Sequence, residues 1–134
     1  MPTIPKLKKH TYCKKMPFNR TEEDRKFYNS VQWKNLRKSL MSKKSCDEIM
    51  EIENRILMPE ELHHVLPYMR GCGDDERWLL LTDEENIVAV TKKTHILIHQ
   101  NPNGLTDKQK DYLDKVMIKV MRKLNNYRMT GNYE

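Results

Sequence analysis

Four of the chain's five histidines fall in two pairs of different spacing: His63 and His64 are adjacent, while His95 and His99 are four apart. This contrast limits the fold more than any other feature. Neighbouring side chains on a strand leave opposite faces, whereas residues four apart on a helix share one face. "EELHHVLP" reads as a short strand after Pro59, and "TKKTHILIHQ" as a helix starting near Thr91 or Lys92. Between them, "RGCGDDERW" reads as a loop, having two glycines and two aspartates. "NIVAV" (Asn86 to Val90) is rich in β-branched residues and reads as a second strand. The order is strand, loop, strand, helix.

Other segments extend the pattern toward helix. Thr21 is a good N-cap followed by three acids, and Phe27, Tyr28, Val31, Leu36 and Leu40 fit one amphipathic helix over about 22–42. Residues 45–58 fit either a short helix or an irregular connection. Thr106 to Gln109 matches a capping box, and Leu113, Val116, Met117, Val120 and Leu124 recur at helical spacing, so a last helix is expected over about 106–125. The fold class expected is α+β and mostly helical, with one domain over 21–134.

Charge is unevenly placed. The net charge is +6, and residues 1–20 hold Lys6, Lys8, Lys9, Lys14, Lys15 and Arg20 with no acid. The rest of the chain is balanced. Residues 1–20 therefore read as a basic flexible arm, which either tracks phosphates or only solubilises. His10, within it, has no assigned role. No apolar run suggests a membrane span or a signal peptide. Three widely spaced cysteines, Cys13, Cys46 and Cys72, argue against a disulfide framework and fit a cytoplasmic location.

The i, i+4 histidines place two imidazoles where they can bind one divalent metal, as in H-E-x-x-H zinc sites. The glutamate of that motif is absent, since Ile96 follows His95, so a metalloprotease reading lacks its general base. Two unrelated surface histidines would give the same spacing. A metal site needs a ligand from another element, and the His63–His64 strand offers one.

This order of elements resembles the HNH endonuclease family, whose motif is a ββα-metal finger. "ELHHVLP" is similar to its first strand, and "NIVAVTKKTH" to its second strand and helix start, with the asparagine nine residues before a histidine. "RKFYNSVQWKNLRKSL" resembles the helix that precedes the finger in small phage-encoded members. The resemblance spans roughly residues 22–100, with the finger at about 60–100. It implies metal ligands at His63, His95 and, less directly, His99. It implies a general base at His64, and at Asn86 an amide that steadies both the loop and that base by hydrogen bonding. One divalent ion (Mg, Mn, Ni or Zn) is the implied cofactor. DNA is the implied substrate, and phage terminase and portal proteins are the implied partners of a packaging role in a host cytoplasm.

The chemistry needs these residue types. Phosphodiester hydrolysis builds charge on the phosphate and the leaving 3′ oxygen, which a cation held by neutral imidazoles can offset. The attacking water needs a base with a pKa near neutral, which histidine supplies. A metal-bound nitrogen cannot also accept a proton, so the two tasks fall to different rings. On this reading His64 sits where the strand gives way to the loop, and a local twist lets both rings reach one phosphate.

The chain departs from relatives that carry two Cys-x-x-Cys pairs. Ile49 stands at the position paired with Cys46, and Thr91 and Thr94 stand where a second pair would be, so no structural zinc is expected. In the long loop, Arg70 and Arg77 are candidate phosphate contacts with ordinary solvated charge as the alternative. Trp78 and Leu79–Leu81 are expected to cover the finger from outside. Two other functions compete with a DNA endonuclease: a bacteriocin-type toxin nuclease, and a non-cleaving, metal-stabilised DNA-binding module. A monomer is expected.

Overall fold

In a computed structural model, residues 22–67 and 73–134 are described. Two helices come first, α1 (Glu22–Asn29) and α2 (Val31–Lys43), then a short α3 (Glu48–Glu51). Strand β1 (Glu61–His64), helix α4 (Asp74–Thr82), strand β2 (Ile87–Val90), helix α5 (Lys92–Gln100) and the long α6 (Asp107–Thr130) follow. The fold is mostly helical around one small antiparallel sheet, as an α+β reading expects.

The single helix expected over 22–42 is instead broken at Ser30. Ser30 is extended (φ −71°, ψ 152°), and its hydroxyl accepts from Trp33 N, capping α2. Six residues on one continuous helix would put Phe27 and Trp33 about 240° apart. The break lets both join one cluster with Leu40, Leu81 and Ile87, their rings 5.2 Å apart.

The two strands pair with Glu61 opposite Val90, Leu62 opposite Ala89, His63 opposite Val88 and His64 opposite Ile87. Alternation then sorts the side chains. Leu62, His64 and Ile87 face α1 and α2, where Leu62 and Ile87 join the Phe27–Trp33 cluster. Glu61, His63, Val88 and Val90 face the opposite way, where the two valines pack with Ile49, Leu105 and residues of α5 and α6. β2 is buried on both faces, which explains its uninterrupted apolar run.

The ambiguous 45–58 segment supplies the brace for β2. Asp47, fully buried, accepts through one oxygen from Ile49 N and Met50 N (both 2.9 Å), capping α3. Its other oxygen accepts from Thr91 N at 2.8 Å, and Glu48 accepts from Ala89 N at 2.6 Å. These carboxylates occupy backbone donors on the edge of β2 that β1 does not pair.

The expected loop "RGCGDDERW" is helical from Asp74. Its first-turn acids Asp74, Asp75 and Glu76 suit a helix N-terminus. They also reach the far end of α6: Tyr127 Oη donates to Asp75 at 2.5 Å, and Arg128 grips Glu76 through two bonds of 2.8 and 3.0 Å. Those ties explain why α6 continues past 125, ending at Gly131, whose φ of +84° glycine adopts readily. Leu80 and Leu81 do not cover the finger from outside. Both are core residues, while Trp78 lies half-exposed with its edge on Phe27. The expected capping box is present: Gln109 N donates to Thr106 Oγ1, and Thr106 N donates to Gln109 Oε1. Among the described residues, no helix is long and apolar enough to cross a membrane.

Candidate metal centre and cleft

Strand alternation brings His63 to the side of β1 that faces α5, where His95 and His99 lie one turn apart. The three ring centroids are 4.9 to 5.0 Å from one another. One nitrogen from each lies within 4.8 Å of the others, a spacing compatible with a single metal ion. His63 is buried at the base, and His99 is exposed at the rim. α5 starts at the expected place because Thr91 caps it, its hydroxyl accepting from Thr94 N. Thr91 and Thr94, at the places of a second cysteine pair in some HNH proteins, thus set the register of the helix that carries two of the three imidazoles. Cys46 is a buried free thiol.

Burial, followed by the neighbouring histidines, pushes the His63 pKa well below its ordinary value. Desolvation and then His95 push His99 down to about 4. Both rings are thus uncharged near pH 7, the form a metal ligand requires. His95 Nδ1 lies 2.7 Å from Glu61 Oε1. An ionised carboxylate only accepts, so Nδ1 carries the proton and Nε2 offers the lone pair. This carboxylate–histidine contact is the kind that orients metal-ligating rings. The donor set fits a divalent ion that prefers nitrogen.

His64 is the last residue of β1, as expected, in regular register opposite Ile87, and the backbone bends directly after it. The two adjacent rings leave opposite faces. His63 meets His95 and His99, while His64 lies against Trp33, at 5.4 Å between centroids, and more loosely against Tyr28. Both nonetheless border one cleft of about 740 Å³, formed between α2, the end of β1 and α5. The cleft is what joins them.

The contact expected between Asn86 and the His64 ring is replaced by another. Asn86 is fully buried in a 3-10 turn just before β2. Its Oδ1 accepts from Leu66 N at 2.7 Å, and its Nδ2 donates to Leu66 O at 2.9 Å and Leu80 O at 2.8 Å. Both amide hydrogens are committed to backbone, so Asn86 ties the end of β1 to α4 and does not touch the ring. The His64 ring is fixed by Leu81 O, 2.9 Å from Nε2. A carbonyl only accepts, so Nε2 carries the proton and Nδ1 holds the lone pair. Burial lowers the His64 pKa, His95 adds to that, and the Leu81 carbonyl partly opposes it.

The last carbonyls of a helix lack partners within it. In α4, Asn86 takes Leu80 O and His64 takes Leu81 O. A segment expected to be loop therefore supplies the rigid support of the site. Glu61, two residues before His63, was detectable from strand alternation alone. Lys34 and Arg37 of α2 and Lys92 of α5 also border the cleft, and their only sequence signal is position. Arg77 lies in α4, 3.7 Å from Asp74, and does not border the cleft. Arg70, Cys72 and the lysines of the arm (Lys6, Lys8, Lys9, Lys14 and Lys15) lie outside the described residues. Comparison of the chain with protein-family models, with curated proteins and with solved structures returns no match.

Proposed function

We propose that the chain is a metal-dependent HNH-type endonuclease that hydrolyses DNA phosphodiester bonds, with β1, β2 and α5 as its ββα-metal finger. One observation carries the reading. Three imidazoles converge within metal-binding distance of each other, and a fourth, His64, borders the same cleft with one ring nitrogen that forms no hydrogen bond among the described residues. A surface pair of histidines would give neither the buried third ligand nor the adjacent base.

His63, His95 and His99 would hold one divalent ion of the Mg, Mn, Ni or Zn class. Imidazoles favour zinc or nickel, and three protein ligands leave a position open, as in catalytic sites. When bound, the ion supplies positive charge to the phosphate and to the leaving 3′ oxygen. His64 takes the proton of the attacking water at Nδ1, because Nε2 is committed to Leu81. Its lowered pKa keeps Nδ1 unprotonated at neutral pH. Once the ring is charged, the C-terminal end of α4 favours it. Glu61 and Asn86 are positioning residues: the first holds the His95 ring, the second the backbone on which His64 rests.

Supercoiled plasmid incubated with the full chain and Mg²⁺, Mn²⁺, Ni²⁺ or Zn²⁺ tests the proposal. Cleavage is expected with at least one metal, and His64→Ala should slow it by about 10²–10⁴-fold, the usual worth of a general base. Undiminished cleavage by His64→Ala would sink the mechanism. No cleavage with any metal, alongside salt-sensitive DNA binding, would leave a metal-stabilised binding module. Genome packaging beside terminase and portal proteins is the role that the phage-type resemblance suggests for such a nuclease.

A further inference from the structure

The cleft has a charge pattern that the metal centre does not require. Lys34 and Arg37 stand one turn apart on α2, and Lys92 begins α5 on the other side of the histidines. All three are exposed. Among the described residues none of them forms an ion pair, whereas Lys43, Lys44, Lys119, Lys123 and Arg128 each hold a carboxylate. Among the described residues, the one acid bordering the cleft is Glu61, 2.7 Å from His95 Nδ1. Glu60 also accepts from Lys92 N at 3.0 Å, so three cations face two acids and the concave site keeps a positive excess. Such an arrangement attracts a polyanion.

The sides differ. Lys34 and Arg37 share a wall with Trp33, which lies against His64, so they flank the ring with the free nitrogen. Lys92 flanks the His95–His99 helix. A group seated at the histidines thus has cations on both sides, as a phosphate within a chain of phosphates needs and a lone anion does not.

We propose that Lys34, Arg37 and Lys92 are a backbone grip for DNA: Lys34 and Arg37 bind phosphates on the His64 side of the scissile position, and Lys92 binds one on the metal side. The inference rests on the nuclease reading and adds the path of the strand through the cleft. Phosphate contacts fix register without reading sequence, so the grip serves any sequence.

The test is equilibrium binding of the full chain to a short fluorescein-labelled DNA duplex in EDTA, followed by anisotropy across a salt series. Each lost phosphate contact lowers the slope of log K against log salt by about 0.9 on duplex DNA. The pair Lys34→Gln/Arg37→Gln should lower it by about 1.8, and Lys92→Gln by about 0.9. Lys108→Gln/Arg122→Gln, on exposed parts of α6 away from the cleft, should leave it unchanged. Cobalt(II) titration, read by visible absorption, should be the same in the wild type and the Lys34→Gln/Arg37→Gln variant, showing an intact histidine site. Wild-type binding with an unchanged slope in the cleft variants, or an equal fall in the α6 pair, would overturn the grip and leave the nuclease reading standing. A wild type that binds no DNA at any salt would overturn both.

Discussion

Replacing Asn86 by alanine should damage stability more than its small side chain suggests. The amide makes three hydrogen bonds, all to backbone groups in a fully buried setting. Asn86→Ala strands Leu66 N, Leu66 O and Leu80 O together. Each unsatisfied buried group costs about 1–3 kcal/mol, and partial entry of water keeps the sum nearer the low end, at about 3–6 kcal/mol. A domain of this size has about 5–15 kcal/mol in total, so the variant should be marginal. Asn86→Asp tests the same bonds differently. A carboxylate still accepts from Leu66 N but sets a negative oxygen against two carbonyls, so the variant should recover stability as pH falls and the group protonates to a donor. Urea unfolding followed by tryptophan fluorescence would report both, since Trp33 and Trp78 flank the region. A loss below about 1 kcal/mol in Asn86→Ala would refute the argument that this amide ties β1 to α4.

Other expectations follow from the same geometry. Glu61→Gln should weaken cobalt(II) or zinc affinity by about 10–100-fold in calorimetric titration, because His95 loses its orienting carboxylate. His64→Ala should leave metal affinity nearly unchanged, since that ring is held by Leu81 and not by the cluster. The metal-free protein should lose stability on acidification. His63 and His99 have folded pKa values below the unfolded value of 6.5, so the unfolded chain binds more protons between those values. Their contribution is whole above about pH 6.5 and falls as pH drops toward 4, which thermal melts in EDTA across that window would show. Asp47→Ala should destabilise by about 2–5 kcal/mol in denaturant titration, because it removes the cap of α3 and leaves Thr91 N without its acceptor.

The sequence by itself determined the local frame. The β-branched run before Thr91, the Thr91 cap and the i, i+4 histidines specify a strand turning into a helix with two imidazoles on one face, because those signals are carried by neighbouring residues. Thr106 and Gln109 specify the start of α6 for the same reason. The adjacency of His63 and His64 also carried its own geometry: alternation alone sends them to opposite faces of β1. What only the tertiary structure decided is whatever depends on partners distant in sequence. Leu81 holds His64 across 17 residues, and Glu61 reaches His95 across 34. Asp47 braces Thr91 across 44, from a segment with no periodic signal of its own. Helix α4 begins beside two glycines and is secured in part by Tyr127 and Arg128, so local propensity alone did not reveal it. The cleft that joins the two faces of β1 is a product of packing: α2 and α5 approach the strand from opposite sides, and only their placement gives adjacent, oppositely directed histidines a common opening.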